Sequence, residues 1–366
     1  MRPIQPSAFQ YLLPQLVQSG ANTQTSGASG WTPGGGFSLQ IPDNTIIGGN
    51  PRGLGAVDLQ TQRTAATQVA SGAGSFVVGV NNTASGINSF AMGSGNTASY
   101  IRSVAMGSAS TSSGLNSFAI GASCIASGSE SVAMGNSNAS AQFATAMGSS
   151  TASATYSTAT GNSTASSSYA TAMGLSNAAN TAATAMGGST ASSSYSSAIG
   201  NSTASSPYSF ACGRSIAAQY GKFTNSGGAF STTGDAQTGM IVVRAATTTN
   251  TTVVLTSDGS TATTNNQLIV STNQAMAFTG ELIGKQSGSA NIAAYKIEGT
   301  LVNNAGTVTM PTGTLTAIGT DSIALDTAPT LAADNTNKSL TVTSGAKTTT
   351  NIRWVCTLRS TEVVYA

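Results

Sequence analysis

Glu281 and Glu298 come closest, among the carboxylates of this chain, to an arrangement that does chemistry. They fall on neighbouring predicted strands, and glycosidic bonds are hydrolysed between two such acids. Lys285 and Lys296 fall on the same strands, so paired surface charges are the simpler reading and no catalytic residue is assigned. The chain contains no histidine, which removes every His-dependent catalytic arrangement and every His-containing metal site. Cys124, Cys212 and Cys356 form an odd set without metal-ligand or disulfide-framework spacing and read as reduced, packed thiols. The expectation is a protein that is not an enzyme and carries no cofactor or metal.

Two periodic rows could bind a partner instead. Phe143, Tyr156, Tyr169, Tyr195 and Tyr208 occupy one equivalent position of a repeat, interrupted by Ala182. They form either an aromatic strip for stacking on sugars or a ladder that seals a chain interface or a coil edge, and the ladder is the simpler reading. Thr151, Thr164, Thr190 and Thr203 make a second row, with Asn177 at the remaining position. Regular threonine arrays on flat solenoids can bind ice, but solvated ladders account for this one with less.

The element that must position these rows is an internal repeat. Gly79, Gly93, Gly107, Gly121 and Gly135 follow one another at 14 residues, and Gly148, Gly161, Gly174, Gly187, Gly200 and Gly213 continue at 13. The phrase around them is Ser-Val-Ala-Met-Gly at 103–107 and Ala-Thr-Ala-Met-Gly at 170–174. A small residue sits five positions after glycine in the early repeats (Ala84, Ala98, Ser112, Ala126) and four after it in the later ones (Ala139, Ala152, Ala165). From that residue to the next glycine the count stays at nine, so the deletion falls in a single turn. A period this short suits two strands and two turns, one coil of a parallel β-solenoid. Phe118 and Ile120 share one strand face, and Ser117, Ala119 and Gly121 share the other. Small residues are expected inside the coil and the Val/Phe/Met/Ile row outside, toward a threefold axis.

Composition agrees with such a stack. Only 7% of residues are charged, against roughly 25% in ordinary soluble domains. Between residues 71 and 213 the only charges are Arg102 and Glu130. A charge repeated at about 4.8 Å on successive coils would repel itself along the whole array. The net charge of +2, without clustered Lys or Arg, argues against nucleic acid as a partner. No apolar run is long enough for membrane insertion, and the first residues lack a secretory signal pattern.

The Ser-Val-Ala-Met-Gly phrase, with a following Ala-Ser-Gly at 126–128, resembles the head repeats of YadA-like trimeric adhesins across 71–213. The resemblance implies a left-handed parallel β-roll assembled as a homotrimer. The later coils depart from it, with Thr145, Thr158, Thr171 and Thr184 in place of Val. Residues 234–366, ending in Ile-Arg-Trp-Val-Cys-Thr-Leu at 352–358, resemble a C-terminal domain of phage tail-fibre and virion structural proteins.

The expected fold is therefore all-β: a trimeric parallel β-solenoid shaft at 71–233 and a C-terminal antiparallel, sandwich-like domain at 234–366. Strands are predicted there at 240–244, 252–255, 267–270, 275–283, 294–302, 307–310, 339–342 and 352–358. Residues 1–70 read as a virion-anchoring segment, with Tyr11, Leu12, Leu13, Leu16 and Val17 as its apolar contact with other virion proteins. The expected function is a bacteriophage tail or head fibre, assembled in the host cytoplasm, whose C-terminal domain meets a host receptor or polysaccharide. The alternatives are a capsid decoration protein without a receptor role and a cellular trimeric adhesin.

Overall fold

The structure, a computed structural model, describes residues 50–365 together with the short strand Leu39–Gln40. Tyr11, Leu12, Leu13, Leu16 and Val17, the expected anchor, lie outside the described residues. The chain is all-β, a parallel β-solenoid followed by antiparallel sheets, and no helix occurs among the described residues. It divides into two compact units, Met1–Ala172 and Met173–Ala366.

In the first unit each coil contributes one longer strand and one strand of two residues, such as Phe90–Ser94 with Thr97–Ala98. Successive coils pair in parallel and in register: Phe90 lies against Val104 and Val104 against Phe118, as Ala91 lies against Ala105 and Ala105 against Ala119. Pairing already begins ahead of residue 71, with Val57–Gln62 against Phe76–Val80. The period-two alternation has its expected consequence. Ala91, Ala105, Ala119, Ala133 and Ala146 are wholly buried, as are Ala84, Ala98, Ala126 and Ala139 on the short strands. The large residues of the longer strands point outward, and Phe118, Met134 and Met147 remain about two-fifths exposed (42%, 39% and 39%). A core of alanine and serine buries little apolar area per coil, so cohesion depends on the backbone ladders, such as Phe90 N–H to the Ser103 carbonyl at 2.9 Å and Val104 N–H to Ser117 at 2.9 Å.

The change of period falls in the turn after the repeat glycine. In the coil that follows Met92, Gly93, Ser94 and Gly95 separate it from the inward-pointing Asn96. Asn96 spans this wider turn: its Nδ2 donates to the carbonyls of Met92 (2.9 Å) and Gly107 (2.8 Å), and its Oδ1 accepts from Ser110 N–H (2.9 Å). The same position holds Ser110 and Cys124 in the next two 14-residue coils, and in the 13-residue coils it holds serine and one turn residue is gone. Ser150 Oγ donates to the Met147 carbonyl (2.8 Å) and accepts from Ser163 N–H (3.2 Å), which satisfies a tighter turn with a shorter side chain. The longer strand shrinks from five residues at Phe90–Ser94 to three at Val132–Met134.

The second unit opens with further 13-residue coils, paired as Thr184 with Ser197 and Ser197 with Phe210. The last long coil strand, Phe223–Ser226, then receives Ala236–Thr247 in antiparallel register, with Phe223 opposite Met240. From there a five-stranded antiparallel sheet runs in the order Ala236–Thr247, Ile352–Val364, Gln274–Gln286, Ile292–Asn304 and Thr307–Ala317. A small sheet of Leu268–Ile269, Ser339–Thr343 and Thr330–Asp334 contributes the facing residues of the core. Phe278, Leu282, Ile297, Trp354 and Leu358 of the large sheet pack with Leu268, Leu340 and Val342 of the small one. This is the sandwich-like domain expected, with its core built from large side chains that the coils lack.

Candidate functional site

Ile352–Val364 alternates cleanly between faces. Ile352, Trp354, Cys356 and Leu358 point into the core, while Arg353, Val355, Thr357, Arg359, Thr361 and Val363 point away from it. The outward set lies on an open sheet face shared with Met240 and Val242, with Ala277, Thr279, Glu281 and Ile283, and with Lys296 and Glu298. Two shallow cavities sit on this face, about 410 Å³ lined by Thr279, Glu281, Lys296, Thr357 and Arg359, and about 400 Å³ lined by Phe223, Thr238, Met240, Ala277 and Arg359.

The acid pair singled out in the sequence lies here. Glu281 is directly opposite Lys296, and Glu298 is ion-paired with that same lysine at 2.7 Å, with both side chains about half exposed. Both carboxylates are exposed on an open sheet. This fits surface charge better than the enclosed acid and base that bond hydrolysis needs. Arg359, which sequence reasoning passed over, makes no hydrogen bond or ion pair among the described residues, and neither does Glu281. The alternation of 352–364 was the signal that could have found it, since it puts Arg359 on the face opposite Trp354.

The aromatic row is a ladder at the coil surface. Phe143 stacks on Tyr156 with ring centroids at 4.7 Å, and Tyr156 on Tyr169 at 5.1 Å, with the planes within 10° and 8° of parallel. In the second unit Tyr195 stacks on Tyr208 at 5.1 Å. Each ring hides its neighbour's face and leaves edges and hydroxyls to solvent, which suits ladder packing better than stacking on sugar faces. All five residues have φ between 57° and 61°, the left-handed region that Asn88 and Asn116 occupy at the equivalent position of earlier coils. That conformation is strained for an aromatic residue, and mutual stacking offsets the strain. Arg102 and Glu130 stand in this same row with Asn116 between them, so the two charges of the coils are exposed and not adjacent. Thr151 and Thr164 pair in register on the short strands of the first unit, as Thr190 and Thr203 do in the second.

Among the described residues, charge enters the interior of the coils only where the ladder stops repeating. Asp58 is wholly buried between Arg52 Nε (2.9 Å) and Arg63 Nη2 (2.9 Å) on the strand Val57–Gln62, ahead of the regular repeats. Gln60 beside it accepts from Asn82 N–H and so starts the asparagine row. In the last coil Lys222 takes the interior position held by Ser196 and Ser209, and its Nζ lies 2.7 Å from Glu362 Oε1 with both side chains 1% exposed. Gln237 and Gln274 donate to the other carboxylate oxygen at 2.8 and 3.0 Å. Gln237 also accepts from Ile216 N–H at 2.8 Å, which satisfies the end of the short-strand ladder. Gly239 makes room for the pair, because a Cβ there would lie 2.7 Å from both Glu362 Oε1 and Lys222 Cε. Burial pushes the Glu362 carboxyl upward, but the Lys222 ammonium and the hydrogen bonds from Lys222, Ser360 and Gln237 outweigh it and hold the pKa below its ordinary value.

The three thiols are unpaired, and burial pushes that of Cys356 up to about 12, which makes it inert. Compared with known proteins, the chain matches no family model and no curated protein.

Proposed function

We propose that this chain is a structural subunit of a homotrimeric bacteriophage fibre that presents its C-terminal domain for host attachment. The observation that carries the reading is the outward face of the longer solenoid strands. Their interior is filled by alanine and serine, so large apolar residues line the outside: Ile120, Met134 and Met147 follow one another in register with Phe118 beside them in one unit, and Ile199 and Phe223 stand outward in the other. Such rows on a nearly uncharged coil need a cover. A closed ring of three copies buries them without leaving an unmatched surface. These rows coincide with the phrase that resembles repeats of trimeric adhesins, and a left-handed coil belongs to the same proposal. The resemblance of 234–366 to phage virion proteins supplies the setting. Residues 1–70 are assigned to anchoring on other virion proteins, and the C-terminal domain to a host receptor or polysaccharide.

Truncations of the subunit test the division of labour. The chain without residues 1–36 should still form a soluble trimer but no longer enter particles. Particles carrying the chain without residues 240–366 should retain the fibre and adsorb more slowly to host cells. Incorporation of the first would rule out the anchor, and wild-type adsorption by the second would rule out attachment through the C-terminal domain.

A further inference from the structure

We propose that the open face of the C-terminal sheet is itself an interface between copies of this chain, in which Arg359 of one copy pairs with Glu281 of the next. The inference rests on the trimeric reading above and extends it to a part of the chain that the repeats do not reach.

Continuity is the first observation. The rings of Phe210 and Phe223 stack at 5.3 Å, and Phe223 stands opposite Met240. The two outward phenylalanines of the last coils, which follow Thr184 and Ser197 in the same row, therefore lead directly onto the sheet. Whatever covers the one is placed to cover the other.

The second observation is the apolar content of that face. Met240, Val242, Ile283, Val355 and Val363 are between 38% and 46% exposed, although the opposite face of the same strands already has its own core. Aliphatic residues spread over neighbouring strands in this way make a patch and not isolated exposures.

Charge complementarity identifies the occupant. Only 7% of the chain is charged, yet Arg359 and Glu281 line one cavity of this face and both go without a partner among the described residues. Lys296, on the same face, is already engaged by Glu298 at 2.7 Å. A cation and an anion set side by side on one surface are what a cyclic head-to-tail interface uses: each copy's Arg359 meets the next copy's Glu281, and neither of the two is left over when the ring closes. The threonines around them, Thr279, Thr357 and Thr361, are small enough for close approach of a neighbouring sheet.

Charge reversal in the full-length chain tests this. R359E and E281R should each raise the trimer dissociation constant by about tenfold or more, read by analytical ultracentrifugation on dilution. The double variant R359E/E281R should return to within about threefold of wild type. Both residues are exposed, so circular dichroism should be unchanged in all three. Single variants that dissociate like wild type, or a double variant as weak as the two singles combined, would overturn the inference while leaving a trimer held by the coils. Reversal that spares the trimer but slows host adsorption would assign the face to an external ligand and likewise overturn it. A monomeric wild-type chain would remove both this interface and the trimeric reading.

Discussion

Replacing Gly107 by alanine is expected to destabilise the coils by about 3–5 kcal/mol, combining backbone strain with overpacking, whereas the same replacement at Gly148 should cost only about 1–2 kcal/mol. The two glycines are equivalent in the repeat but not in the structure. Gly107 has φ 109°, outside the small left-handed region open to other residues, and an added Cβ would lie 2.0 Å from the Gly121 carbonyl oxygen. That oxygen is backbone of the neighbouring coil and accepts from Ser110 Oγ at 3.1 Å, so it cannot retreat without disturbing that coil. Gly148 has φ 70°, and its added Cβ would come no nearer than 3.5 Å to Gly161 N. The adjacent Ser149, at φ 62°, shows that these coils already tolerate a side chain in that conformation. Urea denaturation of both variants, followed by circular dichroism, measures the difference. Equal losses would contradict the two turn geometries described for the 14- and 13-residue coils.

Removing the charge of Glu362 should be nearly as damaging, for a different reason. In the Glu362→Gln variant the buried Lys222 ammonium loses its counter-charge, and breaking one side of a buried pair costs about 3–5 kcal/mol. The pH dependence gives a second handle. The folded-state pKa of Glu362 is lowered, so its contribution is fully present above the ordinary glutamate value of 4.5 and is lost as the pH falls through the lowered one. In Lys222→Met the sign reverses. The carboxylate is then buried without its cation, its pKa rises, and stability relative to wild type should recover as acid protonates it. A Lys222→Met chain whose deficit is the same at pH 7 and pH 5 would show that the pair does not govern this end of the solenoid.

The solenoid could be read from the sequence because its cause is periodic. Glycine at a fixed spacing, small residues at a second spacing and the absence of charge all follow from stacking one coil on its copy. The deletion could be located for the same reason, although the way Ser137 and Ser150 close the shorter turn needed the hydrogen bonds. In the C-terminal domain the strands Gln274–Gln286, Ile292–Asn304 and Ile352–Val364 were found from their alternation but drawn short at their polar ends, where threonine and lysine continue the pairing. Thr307–Ala317 was expected to stop before Pro311; it continues because it is an edge strand, where a missing N–H breaks no ladder. The predicted strand at 252–255 survives only as bridges of Val254 to Thr343 and Thr256 to Arg244. Thr330–Asp334 escaped notice because its alternation is broken by Ala332 and Ala333.

The open face of the C-terminal sheet was less accessible to sequence reasoning. Glu281, Glu298 and Lys296 stood out as charges in a chain that has few, but Arg359 gained meaning only once the register set it beside Thr279 and Met240. The buried pair Lys222 and Glu362 brings together residues far apart in the chain, and only the break in the serine row at Lys222 hinted at it.

Association of three copies through the outward face of the solenoid is the claim on which the rest depends. Multi-angle light scattering of the purified full-length chain measures it most directly. Three chains of 36.1 kDa per particle, holding together on dilution, is the predicted result. A monodisperse particle of a single 36.1 kDa chain would contradict it.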